Sequence, residues 1–178
     1  MVGMIRTSSD SLKDFVVGVM NYSMSKESNI KKHRIQLNAL TDELRHIFCQ
    51  DNTVSIHLDT VMKTVNGDRR LLFRVLRNLI ENGIKYNQSE SPEISIEVAE
   101  TEKEYKFEVL DNGIGIARED HDRIFELFEI VGGKDRYGNE GTGFGLASTK
   151  NIVESLGGRL KCESVLGKGS VFSFTIAK

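Results

Sequence analysis

Apolar positions change period several times along the chain, and each change marks an element. Between residues 4 and 24, Ile5, Leu12, Phe15, Val16, Val19 and Met20 recur at helical spacing, and a polar run at residues 25–29 ends the pattern. Residues 37–50 read as a second helix, with Leu37, Leu40, Leu44, Ile47 and Phe48 apolar and Thr41 placed to serve as an N-cap. Residues 54–58 alternate as a strand does. The clearest helical pattern follows at residues 68–87, where Leu72, Leu76, Leu79 and Ile80 share one stripe with Gly83. Alternation returns at residues 93–99 and 105–110, which read as antiparallel strands, and a helix is expected near residues 119–128. Residues 129–140 are charged, rich in glycine and poor in apolar side chains. A helix at residues 145–156 and a hairpin of residues 159–164 and 170–176 complete the pattern. The order of elements predicts an α/β protein, a two-layer sandwich in which a mixed sheet is covered on one face by helices. Residues 25–32 are the hinge candidate, dividing an N-terminal piece (1–30) from a main body (31–178).

Three segments carry candidate chemistry. On the helix at residues 68–87, Asn78, Asn82 and Lys85 are spaced i, i+4, i+7 and form a narrow polar stripe beside the apolar one. An amide oxygen there suits a hard cation such as Mg²⁺, and the ammonium suits phosphate. The second segment, DNGIGI at residues 111–116, follows a strand. Gly113 and Gly115 let its backbone turn sharply and approach a flat ligand, while Asp111 offers an acceptor to an exocyclic amino group. The third, GTGFGLA at residues 141–147, strips side-chain bulk from the start of a helix, where free N–H groups and the positive helix end meet an anion. Neither glycine segment is a dinucleotide fingerprint, since Arg118 and Ser148 stand where the last glycine would fall, and no P-loop sequence occurs.

Taken together, these segments resemble the ATP-binding catalytic domain of bacterial sensor histidine kinases, within the gyrase-like (GHKL) ATPase superfamily. NLIENGIKYN at residues 78–87 is similar to that family's N-box, DNGIGI to its G1 box, IFELF at residues 124–128 to its F-box and GTGFGLA to its G2 box, in the family's order. Gly157-Gly158 and the run from Gly167 to Phe172 are similar to its closing hairpin, so the resemblance covers roughly residues 53–178. It implies a Bergerat-type ATP-binding fold, ATP and Mg²⁺ as ligands, and transfer of the γ-phosphoryl group to a histidine. By position, Asp111 would bond the adenine amino group against Gly113, Gly115 and Ile116. Asn82 would ligate Mg²⁺ and Asn78 would support it. Lys85 and Tyr86 would approach the phosphates and ribose, and Gly141, Thr142, Gly143, Gly145 and Leu146 would close on the triphosphate. Asn78 and Lys85 are the candidate catalytic residues. Phe125 and Phe128 are expected to pack beneath a lid, and Glu81 is expected on the solvent side.

The same resemblance makes residues 4–24 similar to the second helix of a dimerisation and phosphoacceptor hairpin. The first helix of that hairpin, with its histidine, is not found, and His121-Asp122 reads as a solvated pair. The chain is therefore expected to act on a phosphoacceptor helix of the same or a partner subunit, to feed a response regulator, and to come from a homodimeric full-length protein. Hydrolytic members of the superfamily carry a glutamate where Asn78 stands, which favours kinase over ATPase switch. One departure counts the other way. The family often has a basic residue after the F-box aromatic, and here Glu129 occupies the place, so Lys134, a candidate ATP contact, or Arg136 would have to substitute. A nucleotide-binding scaffold without transfer is the alternative that Glu129 supports.

Composition alters this picture little. A chain of 178 residues with 39% hydrophobic content builds a sizeable core. A net charge of -2 gives no basic excess for nucleic acid and no polybasic helix for a membrane surface. Cys49 and Cys162 have no metal-ligand or redox spacing, and His33, His46, His57 and His121 are scattered. A cytoplasmic fragment of a protein that could be membrane-anchored elsewhere fits these features.

Overall fold

The computed structural model describes residues 30–50 and 53–178. The helical pattern expected at residues 4–24 lies outside them. The described chain runs β1 (His33–Gln36), α1 (Leu37–Phe48), β2 (Ser55–Asp59), β3 (Thr64–Gly67), α2 (Arg69–Lys85), β4 (Glu93–Glu100), β5 (Glu104–Asp111), α3 (Gly145–Ser155), β6 (Leu160–Val165) and β7 (Gly169–Ala177). Five strands form one mixed sheet in the order β2-β4-β5-β7-β6, and β1 pairs with β3 in a separate ribbon. Among the described strands only β2 and β4 run parallel, and the connection between them contains α2, the crossover that a parallel pair requires.

Alternation decides which face of the sheet is covered. Ile94, Ile96 and Val98 of β4, Tyr105, Phe107 and Val109 of β5, and Phe172, Phe174 and Ile176 of β7 all point to the helical side and are buried. Phe107 and Phe174 are register partners whose rings stack at 4.8 Å. Opposite them α2 buries Leu71, Leu72, Val75, Leu76, Leu79, Ile80, Gly83 and Ile84. Each large side chain in that stripe contributes about 1.5–3 kcal/mol of burial. The other face of the sheet carries polar side chains such as Lys106 and Glu108, ion-paired at 3.0 Å. The predicted two-layer sandwich, a mixed sheet with helices on one face, is borne out.

Asp68 sets where α2 begins. Its Oδ1 accepts from the N–H groups of Arg70 and Leu71, and its Oδ2 accepts from the N–H of Lys31. Burial alone would raise the carboxyl's pKa, but these hydrogen bonds outweigh it and hold the pKa below the ordinary aspartate value.

Two sequence expectations are corrected. Thr41 is not an N-cap. The helix starts at Leu37, after extended Gln36, and Thr41 lies buried on its inner face. Nor do residues 119–128 form one helix: they make two 3-10 turns, Arg118–Asp120 and Arg123–Phe125. The chain there follows tertiary demands. His121 bonds the carbonyl of Ile116, Ile124 and Phe125 enter the core, Glu126 is extended, and Phe128, with a φ of 68°, donates its N–H to the carbonyl of Gly143. The ribbon of β1 and β3 went unpredicted because four-residue strands are too short to show a period.

Candidate active site

Between α2, the DNGIGI turn after β5, and the start of α3 lies a cavity of about 800 Å³. Asn78, Asn82, Lys85 and Tyr86 line it from α2 and its end, Asp111, Gly115 and Ile116 from the turn, and Gly141, Thr142, Gly143, Gly145 and Leu146 from the third segment. Sequence reasoning named all of these. Gly113 and Lys134, also named, do not line it. Gly113 instead closes the turn, its N–H donating to Asp111 Oδ1 at 2.9 Å, and Lys134 forms an isolated bridge with Glu140.

Each wall is held by identifiable bonds. Ile114 is gripped from both sides: its N–H donates to the carbonyl of Tyr86 at 3.0 Å, and its carbonyl accepts from the N–H of Gly167 at 2.8 Å. The turn is thereby tied to the end of α2 and to the β6–β7 connection. Gly115 permits this. Its φ is +71°, and a Cβ there would lie 2.1 Å from the carbonyl oxygen of Val165. Gly83 lets α2 sit directly on the turn, since a Cβ at that position would approach Asp111 Cβ to 2.9 Å.

Asp111 Oδ1 accepts from the N–H groups of Gly113 and Ser170, at 2.9 and 3.2 Å. Its Oδ2 has no partner among the described residues. Burial pushes the carboxyl's pKa up, and the two backbone bonds only partly oppose it. The result is an oriented, half-desolvated acceptor, suited to a fixed donor such as a ring amino group. Beside it burial and the charges of Asp111 and Glu163 push the Cys162 thiol up to about 12, so it stays protonated and unreactive.

At the other end of the cavity α3 begins without a side-chain cap, preceded by Phe144. Its first N–H groups have no side-chain cap, an arrangement suited to an anion. Asn78 faces this point. Its Nδ2 donates to Thr149 Oγ1 at 2.7 Å, Thr149 donates onward to the carbonyl of Gly145, and a Cβ on Gly145 would meet Asn78 Oδ1 at 2.8 Å. The amide is thus fixed with its oxygen toward the helix start. Asn82, one turn along α2, makes no side-chain hydrogen bond among the described residues. A half-buried amide lining a cavity without a partner fits a ligand role.

Glu81 corrects the expectation that it faces solvent away from the site. It lines the cavity and pairs with Lys85 Nζ at 2.7 Å. Burial alone would lower the Lys85 pKa, but the Glu81 hydrogen bond and charge, with Asp135 behind them, raise it, so the lysine remains a cation. The helical spacing of residues 81 and 85 already held this pair. Arg74, Arg77, Ser148, Thr149, Asp135 and Ser170 also line the cavity and were not singled out from sequence.

The segment over the cavity has local order of its own. Asp135 Oδ1 accepts from the N–H groups of Tyr137 and Asn139, and the Arg136 N–H donates to the carbonyl of Lys85. Arg136 does not line the cavity, and its guanidinium donates to the carbonyl of Ser89 at 3.3 Å. Glu129 does line it and pairs with Arg123 at 2.8 Å. Phe125 packs in the core as expected, but Phe128 is 60% exposed, its ring edge set against Phe144.

A family model described as histidine kinase-, DNA gyrase B-, and HSP90-like ATPase matches residues 67–178. The chain belongs to this family. Among its curated relatives, cyanobacterial phytochrome A of Nostoc sp. is 44% identical over 115 residues, 65% of this chain and 15% of that protein. Sensor histidine kinase AruS of Pseudomonas aeruginosa is 41% identical over 116 residues, 62% of this chain and 11% of that protein. The chain therefore spans about 15% or less of the length of these relatives. The solved catalytic domain of histidine kinase ThkA is 26% identical, with a TM-score of 0.67 over 83% of this chain and 98% of that one. ThkA has also been solved in complex with the response regulator protein TrrA, at 23% identity and a TM-score of 0.72 over 99% of this chain and 50% of that one. These relatives bear out the expected likeness to the ATP-binding catalytic domains of sensor histidine kinases. Among the described residues no helix is long and apolar enough to cross a membrane.

Proposed function

We propose that this chain is the catalytic domain that binds Mg²⁺-ATP and delivers its γ-phosphoryl group to a histidine on the phosphoacceptor helix of a sensor kinase. The observation that carries the reading is the polarity of the cavity. One end presents the oriented carboxylate of Asp111 for a base, and the other presents the uncapped start of α3 with the amides of Asn78 and Asn82 for phosphate and its metal.

The adenine amino group donates to Asp111 Oδ2 while its ring lies along Gly115 and Ile116. The triphosphate extends toward Gly141, Gly143 and Gly145, where the N–H groups opening α3 neutralise it. Among the described residues no cluster of His, Cys, Asp or Glu would hold a metal unaided. The unpartnered Asn82 amide would hold a Mg²⁺ brought in with ATP, supplying it a hard oxygen ligand. A Mg²⁺ held there would offset charge developing on the leaving group. Asn78, pinned by Thr149, orients the metal's surroundings and supplies no base. An imidazole nitrogen attacks the γ-phosphorus with its own lone pair, the bond to the β–γ bridging oxygen breaks, ADP leaves, and the ring proton is lost to solvent. An incoming histidine needs no general base from this domain, whereas an attacking water would be aided by one. A response regulator, a homodimeric full-length protein and a cytoplasmic setting complete the proposal.

The test is transfer in trans. The chain is incubated with γ-labelled ATP, Mg²⁺ and the dimerisation and phosphoacceptor hairpin of a related sensor kinase. Label on histidine, acid-labile and stable to base, is expected. Steady phosphate release that is indifferent to the hairpin, with no labelled histidine, would identify an ATPase instead.

A further inference from the structure

Among the described residues, three cationic side chains line the cavity, Arg74, Arg77 and Lys85, and all three project from α2. Their order along the helix can be set against the polarity of the site. Gly83 touches Asp111 and so marks the base end, while Asn78 faces Gly145 and marks the phosphate end. Five residues of helix separate them, about 7.5 Å along the axis. Arg77 precedes Asn78 directly and stands at the phosphate end, beyond the level of Asn82. Arg74 lies one turn farther still.

Several other charges near the cavity are already paired. Lys85 is neutralised by Glu81 at 2.7 Å. Glu81 is also four residues after Arg77, but an acidic residue N-terminal to its basic partner at i, i+4 is the better helical orientation, so Glu81 bonds Lys85 and leaves Arg77. Glu129, where a basic residue was expected, is taken by Arg123 at 2.8 Å. Lys134 and Arg136 do not line the cavity, and Arg136 is held by the Ser89 carbonyl. Arg77 is exposed at the cavity wall, with no side-chain hydrogen bond or ion pair among the described residues.

We infer that Arg77 is the cation that binds the terminal phosphate of the nucleotide, replacing the basic residue missing at Glu129. Its planar guanidinium suits a phosphate group, which offers paired oxygens at the end of the chain. The inference rests on the proposed function, because it requires the triphosphate to lie from Asp111 toward Gly145. It deepens that reading by naming which residue tells a triphosphate from a diphosphate.

The experiment is calorimetric titration of the chain, and of Arg77→Gln and Arg77→Lys variants, with the Mg²⁺ salts of ATP and of ADP. The readout is the ratio of the two affinities, which a merely structural residue would leave unchanged. The wild type is expected to favour ATP, Arg77→Gln to lose about tenfold in ATP affinity with little change for ADP, and Arg77→Lys to recover part of the ratio. A wild-type ratio near unity, or a ratio unaltered in Arg77→Gln, overturns the inference while leaving the proposed function standing. A folded wild type that binds neither nucleotide overturns both.

Discussion

Replacing Asp111 by Asn separates recognition from stability. The carboxylate is half-buried, and its pKa is raised by that burial against two backbone hydrogen bonds to Oδ1. Asparagine keeps an oxygen for the N–H groups of Gly113 and Ser170, so the turn remains closed. What changes is the second position, where an NH₂ group would meet the amino group of an adenine bound as proposed, donor against donor. Losing a charge-assisted hydrogen bond costs about 1.5–3 kcal/mol, or roughly 10- to 150-fold in ATP affinity. Stability moves the other way. A carboxyl whose folded pKa is raised favours the folded state fully below the unfolded value and loses that contribution as pH rises through the folded value. At neutral pH the ionised, desolvated carboxylate is therefore a liability that the amide removes. Asp111→Asn is expected to melt at or above the wild-type temperature at pH 7, with the advantage fading below the ordinary aspartate value of 3.8. Calorimetric titration with Mg²⁺-ATP and melting curves at several pH values read both effects. Wild-type affinity in the variant, or a variant that unfolds at neutral pH, would refute the reasoning.

The titration of Asp68 has the opposite sign. Its pKa is depressed, so its contribution is complete above the unfolded value near 3.8 and is lost as pH falls through the lower folded value; Asp68→Asn should flatten that acid limb of the stability curve measured by denaturant unfolding. Gly115→Ala should destabilise by about 3 kcal/mol, the sum of left-handed backbone strain and overlap with Val165, whereas Gly133→Ala, with positive φ but open space, should lose only about 1 kcal/mol in the same assay. Limited proteolysis should cut within residues 132–138 in the free chain and be slowed by saturating nucleotide; cleavage that ignores nucleotide would show that this segment is no lid.

How legible the site was depended on how local its determinants are. The stripe of Asn78, Asn82 and Lys85 could be read because α2 is a long helix whose period is set by its own residues and whose start is fixed by Asp68. The placement of Asp111 in the cavity wall could likewise be read from the glycine turn beside it. By contrast, the 3-10 turns before Phe128 are imposed by contacts with Ile116 and Gly143, which no local period records. The bonding of Asn78 to Thr149 joins residues 71 apart in sequence, and the placement of Arg77 relative to the phosphate end emerges only when α2 and α3 are packed together. Lys134 and Arg136 were reasonable substitutes for the missing basic residue by position in the chain, yet the turn built on Asp135 carries them away from the cavity.

The most direct measurement is titration of the folded chain and of Asn82→Ala with ATP, in the presence of Mg²⁺ and after its chelation. The account predicts saturable one-site binding by the wild type that weakens when Mg²⁺ is removed, and weaker binding by Asn82→Ala that no longer responds to the metal. A folded wild-type chain that binds no ATP, or an Asn82→Ala variant with undiminished Mg²⁺ dependence, would contradict it.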